Sequence, residues 1–461
     1  MAVREHRSRG IVNWITYPYG LVLSRSILFA AFLLVSVGAN AVAWQGNREY
    51  AGELSGFDQS EAANIDDDQP ISANKDVLMR LLYRTKKSSP AQFRDYQQFT
   101  KSISLEDVRK SPKQYRGWVF RLSGTARLLA SVAVPAVSED AIAKYSLVEL
   151  ELPDQTRIQV ATLHVPSAWN QIAQLSEPAE FSGFFALHSG TDWPSTQPQV
   201  LMFVAPRIEW HPRELSDSLS VGIGQLQLAK AGFDIGLLDI CRRQNFKTFG
   251  SEEGEVFYNM LGAVNRVAAS NEVATSGSAT KFLDLVTDPN KHFGDLVQLE
   301  GHVKRIGLVS VDKQFQHEVG REFYQIDMFV ALGGNSQIVV GPDKNQLVFR
   351  NRFPVTIHVG SLGRPLEDFE RAKIRVEGHF YRLWNYQSNF SEEQGAANGQ
   401  FSPLIMATKI EIVPPTEASG IGWFSILVLV FVLSLIVSIV LFTRTGKPAQ
   451  SQPIAKIELP P

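Results

Sequence analysis

SLEDVRKSPKQYRGWVFRLSGTARLL, from Ser104 to Leu129, lines up without a gap against KFLDLVTDPNKHFGDLVQLEGHVKRI, from Lys281 to Ile306. Asp107 meets Asp284, Pro112 meets Pro289, Gly117 meets Gly294, Leu122 meets Leu299 and Gly124 meets Gly301. Proline and glycine constrain the backbone more than other residues do, so their recurrence in one order is a structural signal. The chain therefore contains a duplication, and internal repetition decides the architecture before any motif does.

Working outward, Gly56-Phe57-Asp58 returns as Gly232-Phe233-Asp234, and the apolar helical run Val77 to Leu82 returns as Val256 to Leu261. Downstream, the FSGFF around Gly183 answers VEGHF around Gly378, and Val200 to Pro212 answers Pro403 to Pro415. The repeats span about 50–215 and 226–417, with 216–261 a helical connection into the second, each of ordinary domain size. From Trp118 to Leu128, apolar residues alternate with Arg121, Ser123, Thr125 and Arg127, the period of a half-buried strand. Gly124 and Gly301 inside that strand predict a bulge or sharp bend that curls a sheet. Later strands are expected at Ser146–Leu152, Arg157–Val160, Ala179–Leu187 and Leu201–Trp210. Five strands with a long, bent first member predict an OB-like small barrel in each repeat, and a β-sandwich reads similarly.

Ile421 to Phe442 carries no charge, enough residues to cross a hydrocarbon core about 30 Å thick. Arg444 and Lys447 follow it, placing the tail 443–461 in the cytoplasm, with a Pro- and Gln-rich composition that predicts disorder. Near the other end, a leader over 1–25 with Arg4, Arg7, Arg9 and Arg25 precedes an apolar segment over 26–44. That segment reads as a retained span or as an export signal cleaved near Ala39, Ala41 and Ala43. The expected fold class is thus a membrane-anchored, β-rich (α+β) chain: two tandem OB-like barrels with helical lead-ins between two transmembrane helices. Both termini would be cytoplasmic and residues 45–420 extracytoplasmic, at an inner membrane.

The P-x-x-Y-x-G turn followed by V-F-R-L-S-G, the G-F-F and G-H-F strands, and the closing A-P-R-I-E-W-H-P resemble two-span bacterial envelope proteins built from tandem OB-like units. That resemblance covers most of 50–417 and implies a fold without implying an activity. A weaker likeness is to periplasmic haem chaperones, OB barrels on an N-terminal anchor. It would need a haem-linking histidine after the last strand, where this chain offers His211 before Pro212, Arg213 and Glu214, and no counterpart in the second repeat.

The 461 residues carry a net charge of -2 and 20% charged residues, which gives nucleic-acid binding no electrostatic support. The single cysteine, Cys241, excludes an intramolecular disulfide and a thiolate cluster. The nine histidines contain no i, i+4 pair, and no Gly-x-Ser-x-Gly elbow or complete phosphate-binding glycine loop occurs. No cofactor is expected and an enzyme is disfavoured. Two features stand out as binding candidates. Thr162-Leu163-His164 resembles Thr356-Ile357-His358, placing a histidine on each barrel's rim, where a hydrolase would use it as a base. The run His379, Tyr381, Arg382 and Trp384 combines aromatics with Arg, the chemistry of interface hot spots and of stacking on bases or sugars. The leading expectation is a non-enzymatic anchored protein that binds another envelope protein or a glycan; a membrane hydrolase and an OB-type oligosaccharide or nucleic-acid binder are the alternatives.

Overall fold

The computed structural model describes residues 71–134, 142–172, 174–190, 199–270, 279–333, 337–341, 347–386, 399–414 and 421–445, with Ser55, Gly56, Ser60, Ile65, Asp66, Asp67 and Gln69. The first apolar segment, over 26–44, lies outside the described residues, as does the tail. The chain divides into one unit up to Ile412 and a second from Val413.

Two helices, α1 (Lys75–Lys87) and α2 (Pro90–Gln97), lead into the first repeat, followed by α3 (Leu105–Lys110) and α4 (Pro112–Tyr115). Ser104 and Asp107 close a reciprocal capping box at the start of α3, and Pro112 opens α4 where its missing N–H costs nothing. Gly117 then turns the chain with φ of 80°, a region glycine reaches without a Cβ clash. Strands β1 (Val119–Ala133), β2 (Lys144–Glu151), β3 (Arg157–His164), β4 (Glu177–Gly190) and β5 (Gln199–Arg207) follow, with a two-residue β6 (Glu209–Trp210). β1 pairs with β2 and β4, β2 with β3, β3 in parallel with β5, and β5 with β4, so the five strands close a ring. Its interior holds Phe120, Phe181 and Phe185 around Phe203, with centroid separations of 5.4 to 5.8 Å. The outer face of β5 is covered by α1 through Leu78, Leu81 and Leu82.

The second repeat runs through α5 (Ile223–Lys230), α6 (Leu238–Gln244), α7 (Gly254–Ser270) and α8 (Phe282–Thr287) into β7 (Leu296–Ser310). After a short α9 (Gln316–Val319) come β8 (Glu322–Ala331), β9 (Gln337–Val340), β10 (Leu347–Arg350), β11 (Arg352–Val359), β12 (Lys373–Tyr386) and β13 (Gln400–Ile412). Strands β7, β8, β11, β13 and β12 form a closed barrel in the same order as the first, with β11 and β13 parallel. β9 and β10 form a separate hairpin. The barrel is the outcome where the sequence left barrel and sandwich both open.

The duplication is visible at the level of single atoms. Gly117 donates to the Phe185 carbonyl at 2.8 Å, and Gly294, also at positive φ, donates to the Phe380 carbonyl at 2.7 Å. A Cβ on Gly124 would lie 2.5 Å from the Glu151 carbonyl oxygen, and one on Gly301 would lie 2.7 Å from that of Phe329. Two residues beyond each glycine the register slips, between Ala126 and Leu128 in one repeat and Val303 and Arg305 in the other. Both bends are therefore β-bulges made possible by a glycine that lets the neighbouring strand approach. In the second repeat α7 takes the place of α1, laying Val256, Phe257, Met260 and Leu261 against β11 and β13.

The second unit contains α10 (Ile421–Thr445), and Ile426–Arg444 within it is long and apolar enough to cross a membrane, with mean hydropathy 3.2.

Candidate functional site

Barrel register decides what the two histidines share. Phe185 pairs with Phe203 and Phe380 with Ile405, and across the parallel ladder Phe203 faces Val160 while Ile405 faces Ile357. Val160 and Ile357 are thus equivalent, so His358 corresponds to Ala161, and His164 lies three residues further along, opposite Ser361. The expected rim pair is corrected: an odd shift of three turns the side chains to opposite faces of the strand. His358, 5% exposed, points outward under α7, with the Phe257 and Phe323 rings each 5.1 Å from its own. Burial pulls its pKa down to about 3. It cannot meet a substrate.

The aromatic run is corrected likewise. His379, Tyr381 and Arg382 are fully buried in the chain. Burial lowers the His379 pKa to about 4, and its Nδ1 lies 3.1 Å from the Gly294 carbonyl. The Arg382 guanidinium forms a two-pronged ion pair with buried Glu253, its Nη2 reaching Oε2 at 2.7 Å, and donates to the Lys247 carbonyl at 2.9 Å. The charge that marked a contact surface in the sequence instead fastens the connection segment to β12. Trp384, partly buried, donates to Thr356 Oγ1 at 3.3 Å and stacks on Tyr386 at 4.8 Å. Cys241 is buried on α6, where desolvation holds its thiol above the ordinary range.

His164 remains at a rim, and it is here that the structure opens a cavity of about 390 Å³. β1 and β2 extend beyond the closed ring as a hairpin. Its inward positions, in line with core residue Val148, are Ser131, Ser146 and Lys144, with Ser131 opposite Ser146. On β3 the same face carries His164. The bulged Arg127 stands at the base of the hairpin, held by Ser176 at 2.9 Å and Glu151 at 3.4 Å. A 3₁₀ turn after β3, Ser167–Gln171, brings Trp169 across the barrel end, with Ile172 and Leu175 completing an apolar wall. Trp169 is 1% exposed and its ring packs edge-on against Trp210 at 5.9 Å, yet its Nε1–H has no partner among the described residues. Desolvation, Arg243 and Arg207 all lower the His164 pKa, so the ring is neutral near pH 7 and presents one donor and one acceptor.

The turn that carries Trp169 is moored from outside the repeat. Ser167 donates through its backbone N–H to Asp239 on α6 at 2.7 Å and through its hydroxyl at 2.6 Å. Next to it, Arg207 at the end of β5 meets Asp234 at 3.2 Å and Glu255, the first-turn acid of α7, at 2.7 Å. Burial opposes the Arg207 charge, but the two carboxylates raise its pKa far above ordinary. Sequence reading missed this joint, although the repeated Gly-Phe-Asp at 232–234 was its signal: Gly232 turns at φ 83°, and Asp234 accepts from the Trp210 and Gly236 N–H groups at 2.8 and 2.9 Å.

His211, the histidine of the haem-chaperone likeness, sits 3.9 Å from Glu209 and beside Glu180, a trio spaced closely enough to hold a cation. Both carboxylates already pair with Arg121, which any cation would have to displace.

The second barrel carries different residues at the corresponding positions. The positions equivalent to Ser131, Ser146, Lys144 and His164 are Leu308, Tyr324, Glu322 and Ser361, so one hydroxyl becomes apolar and the Lys144 cation becomes an anion, while the Arg127 position stays basic as Lys304.

No family model and no curated protein matches the chain. Among solved structures it is similar to the single-stranded DNA-binding protein of Thermus aquaticus at 9% identity, over 66% of this chain and 85% of that one, with a TM-score of 0.13. A deletion mutant of that protein matches at 11% identity over 65% and 97%, with a TM-score of 0.14. Likeness at these scores carries no argument, and the barrel order above rests on strand pairing alone.

Proposed function

We propose that the chain is a two-span, non-enzymatic binding protein of a bacterial-type inner membrane, holding both barrels outside the cytoplasm and engaging its partner at the mouth of the first. The observation that carries this reading is the asymmetry between otherwise equivalent barrels. One mouth is lined by Lys144, Arg127 and His164 over an apolar floor, whereas the equivalent positions of the other are Glu322, Lys304 and Ser361, with Leu308 in place of Ser131. A pocket with an apolar wall and few convergent polar groups is the usual form of a ligand site. The α10 helix and the basic residues flanking both apolar segments support the anchoring and its direction. A fixed anchor raises the local concentration of other membrane-bound molecules, so that weak contacts suffice.

The hydrolase reading loses one of its two bases, because His358 is buried under aromatic rings. Nucleic-acid binding on the barrel faces would require exposed stacking rings, and the large exposed aromatics among the described residues before α10 are Tyr83 and Phe99, on the helical lead-in.

Two experiments test the proposal. Protease added to intact spheroplasts should digest the region between the anchors, and protection of that region would overturn the topology. A photo-crosslinking residue placed at Asn170, on the exposed edge of the first mouth, should give an adduct in membranes, whereas one at Ser361 should not. Equal adducts, or none, would remove the first mouth as the contact site.

A further inference from the structure

The cavity at the first barrel's mouth has a chemistry more specific than binding in general. Resting on the reading above, we infer that it holds the phosphate of an organic phosphoester, with the ester's organic part lying against Leu163, Val165, Ile172 and Leu175.

Charge and donor count lead to this class. Lys144 supplies a compact positive point charge on an exposed side chain, and Arg127, rigid and forked, supplies a second that it shares with Glu151 at 3.4 Å. Around them stand neutral donors: the Ser131 and Ser146 hydroxyls, the Asn170 amide and the His164 ring. Trp169 is the independent observation. Its ring lines the cavity and its buried indole N–H has no partner among the described residues, and a buried unsatisfied donor is costly unless a ligand or water completes it. A carboxylate offers two oxygens. A phosphoester offers up to three unesterified oxygens and one or two negative charges, and so uses the donors a carboxylate would leave idle. The volume of about 390 Å³ exceeds what a bare ion needs and falls within the range of small organic ligands. In the second barrel the Lys144 position is Glu322 and the Ser131 position is Leu308, which reverses one charge and removes one donor while Lys304 keeps the Arg127 charge, so the same fold supplies an internal comparison for the Lys144 position.

Phosphoesters reach such a site as soluble metabolite-like molecules or as lipid headgroups, and the two sources are separable. Full-length protein in neutral detergent is titrated calorimetrically with sn-glycerol 3-phosphate and with a short-chain, water-soluble phosphatidylglycerol; citrate serves as the carboxylate control and a single-stranded oligonucleotide as the polymer control. Saturable binding of either phosphoester, at least tenfold tighter than citrate, is expected. Preference for glycerol phosphate assigns a soluble ligand, and preference for the phosphatidylglycerol assigns a headgroup. Lys144→Glu, which copies the second barrel at an exposed position, should weaken binding tenfold or more without changing the melting temperature. Trp169→Phe keeps the ring and removes the N–H, and should weaken it several-fold. Absence of binding by both phosphoesters at millimolar concentration, binding indifferent to Lys144→Glu, citrate binding as tightly, or tighter binding of the oligonucleotide with a steep salt dependence would each overturn the assignment. An Asn170 adduct found together with any of those results would leave the binding-protein reading standing and this ligand class rejected.

Discussion

Replacing His358 with Leu should flatten the acid side of the protein's stability profile. The imidazole is 5% exposed, its two nitrogens have no partner among the described residues, and burial brings its pKa to about 3. In the unfolded chain the same ring titrates near about 6.5. The unfolded state therefore binds the proton that the folded state refuses, so the ring's contribution is fully present above about pH 6.5 and is lost as pH falls toward its folded value. Each unit of displacement is worth about 1.4 kcal/mol, and the step from pH 7 to pH 5 removes about 2 kcal/mol through this single residue. Full-length protein in detergent, unfolded in urea and followed by tryptophan fluorescence, should show that loss in the wild type. The His358→Leu variant should lose about 2 kcal/mol less over the same interval and be at least as stable at pH 7, since a leucine there leaves no nitrogen unpaired. His379, also displaced downward, is common to both proteins and cancels in the difference. Identical pH responses would refute the reasoning, because they would mean that the ring is solvated or already charged in the fold.

Arg382→Met should cost about 3 to 5 kcal/mol by stranding the buried Glu253 carboxylate, and adding Glu253→Leu should recover most of the loss; a urea double-mutant cycle measures both. Gly124→Ala and Gly301→Ala each drive a methyl group into a carbonyl oxygen of the neighbouring strand and should destabilise by about 1 to 3 kcal/mol, read as a lowered melting temperature of similar size in the two repeats. Unequal effects would mean that the two bends are not the same device.

The repeat, its glycine-bent strand and the positions of the first repeat's strands were legible because they rest on local constraints. Pro112, Gly117 and Gly124 dictate backbone conformation within a few residues, and apolar alternation dictates the buried face. The paired histidines were misread because sequence similarity over so short a stretch cannot report register, and register is fixed by hydrogen bonds to a strand some 45 residues away in the chain: Ile357 against Ile405, Val160 against Phe203. Arg382 was misread for a related reason. Its partner Glu253 is 129 residues earlier, so nothing nearby in sequence says that the charge is neutralised in the interior. The mouth of the first barrel was legible only in part. His164 was selected, while Arg127 and Lys144 carried no motif, because they come together only when the hairpin of β1 and β2 overhangs the turn after β3.

The mooring of that turn to Asp239 bears on how the two copies divided their labour. The floor of the first mouth is held from outside its own repeat, by a helix that packs on β12 of the second barrel. The second copy thus serves as a jig that clamps the first copy's floor in place, and Arg207 reaching across to Glu255 is the second clamp. Under the proposed binding role, duplication has produced one working part and one fixture. A chain cut after the first repeat would keep every strand of its barrel and still lose the acids that hold Ser167 and Arg207, and with them the geometry that sets Trp169 beneath the cavity.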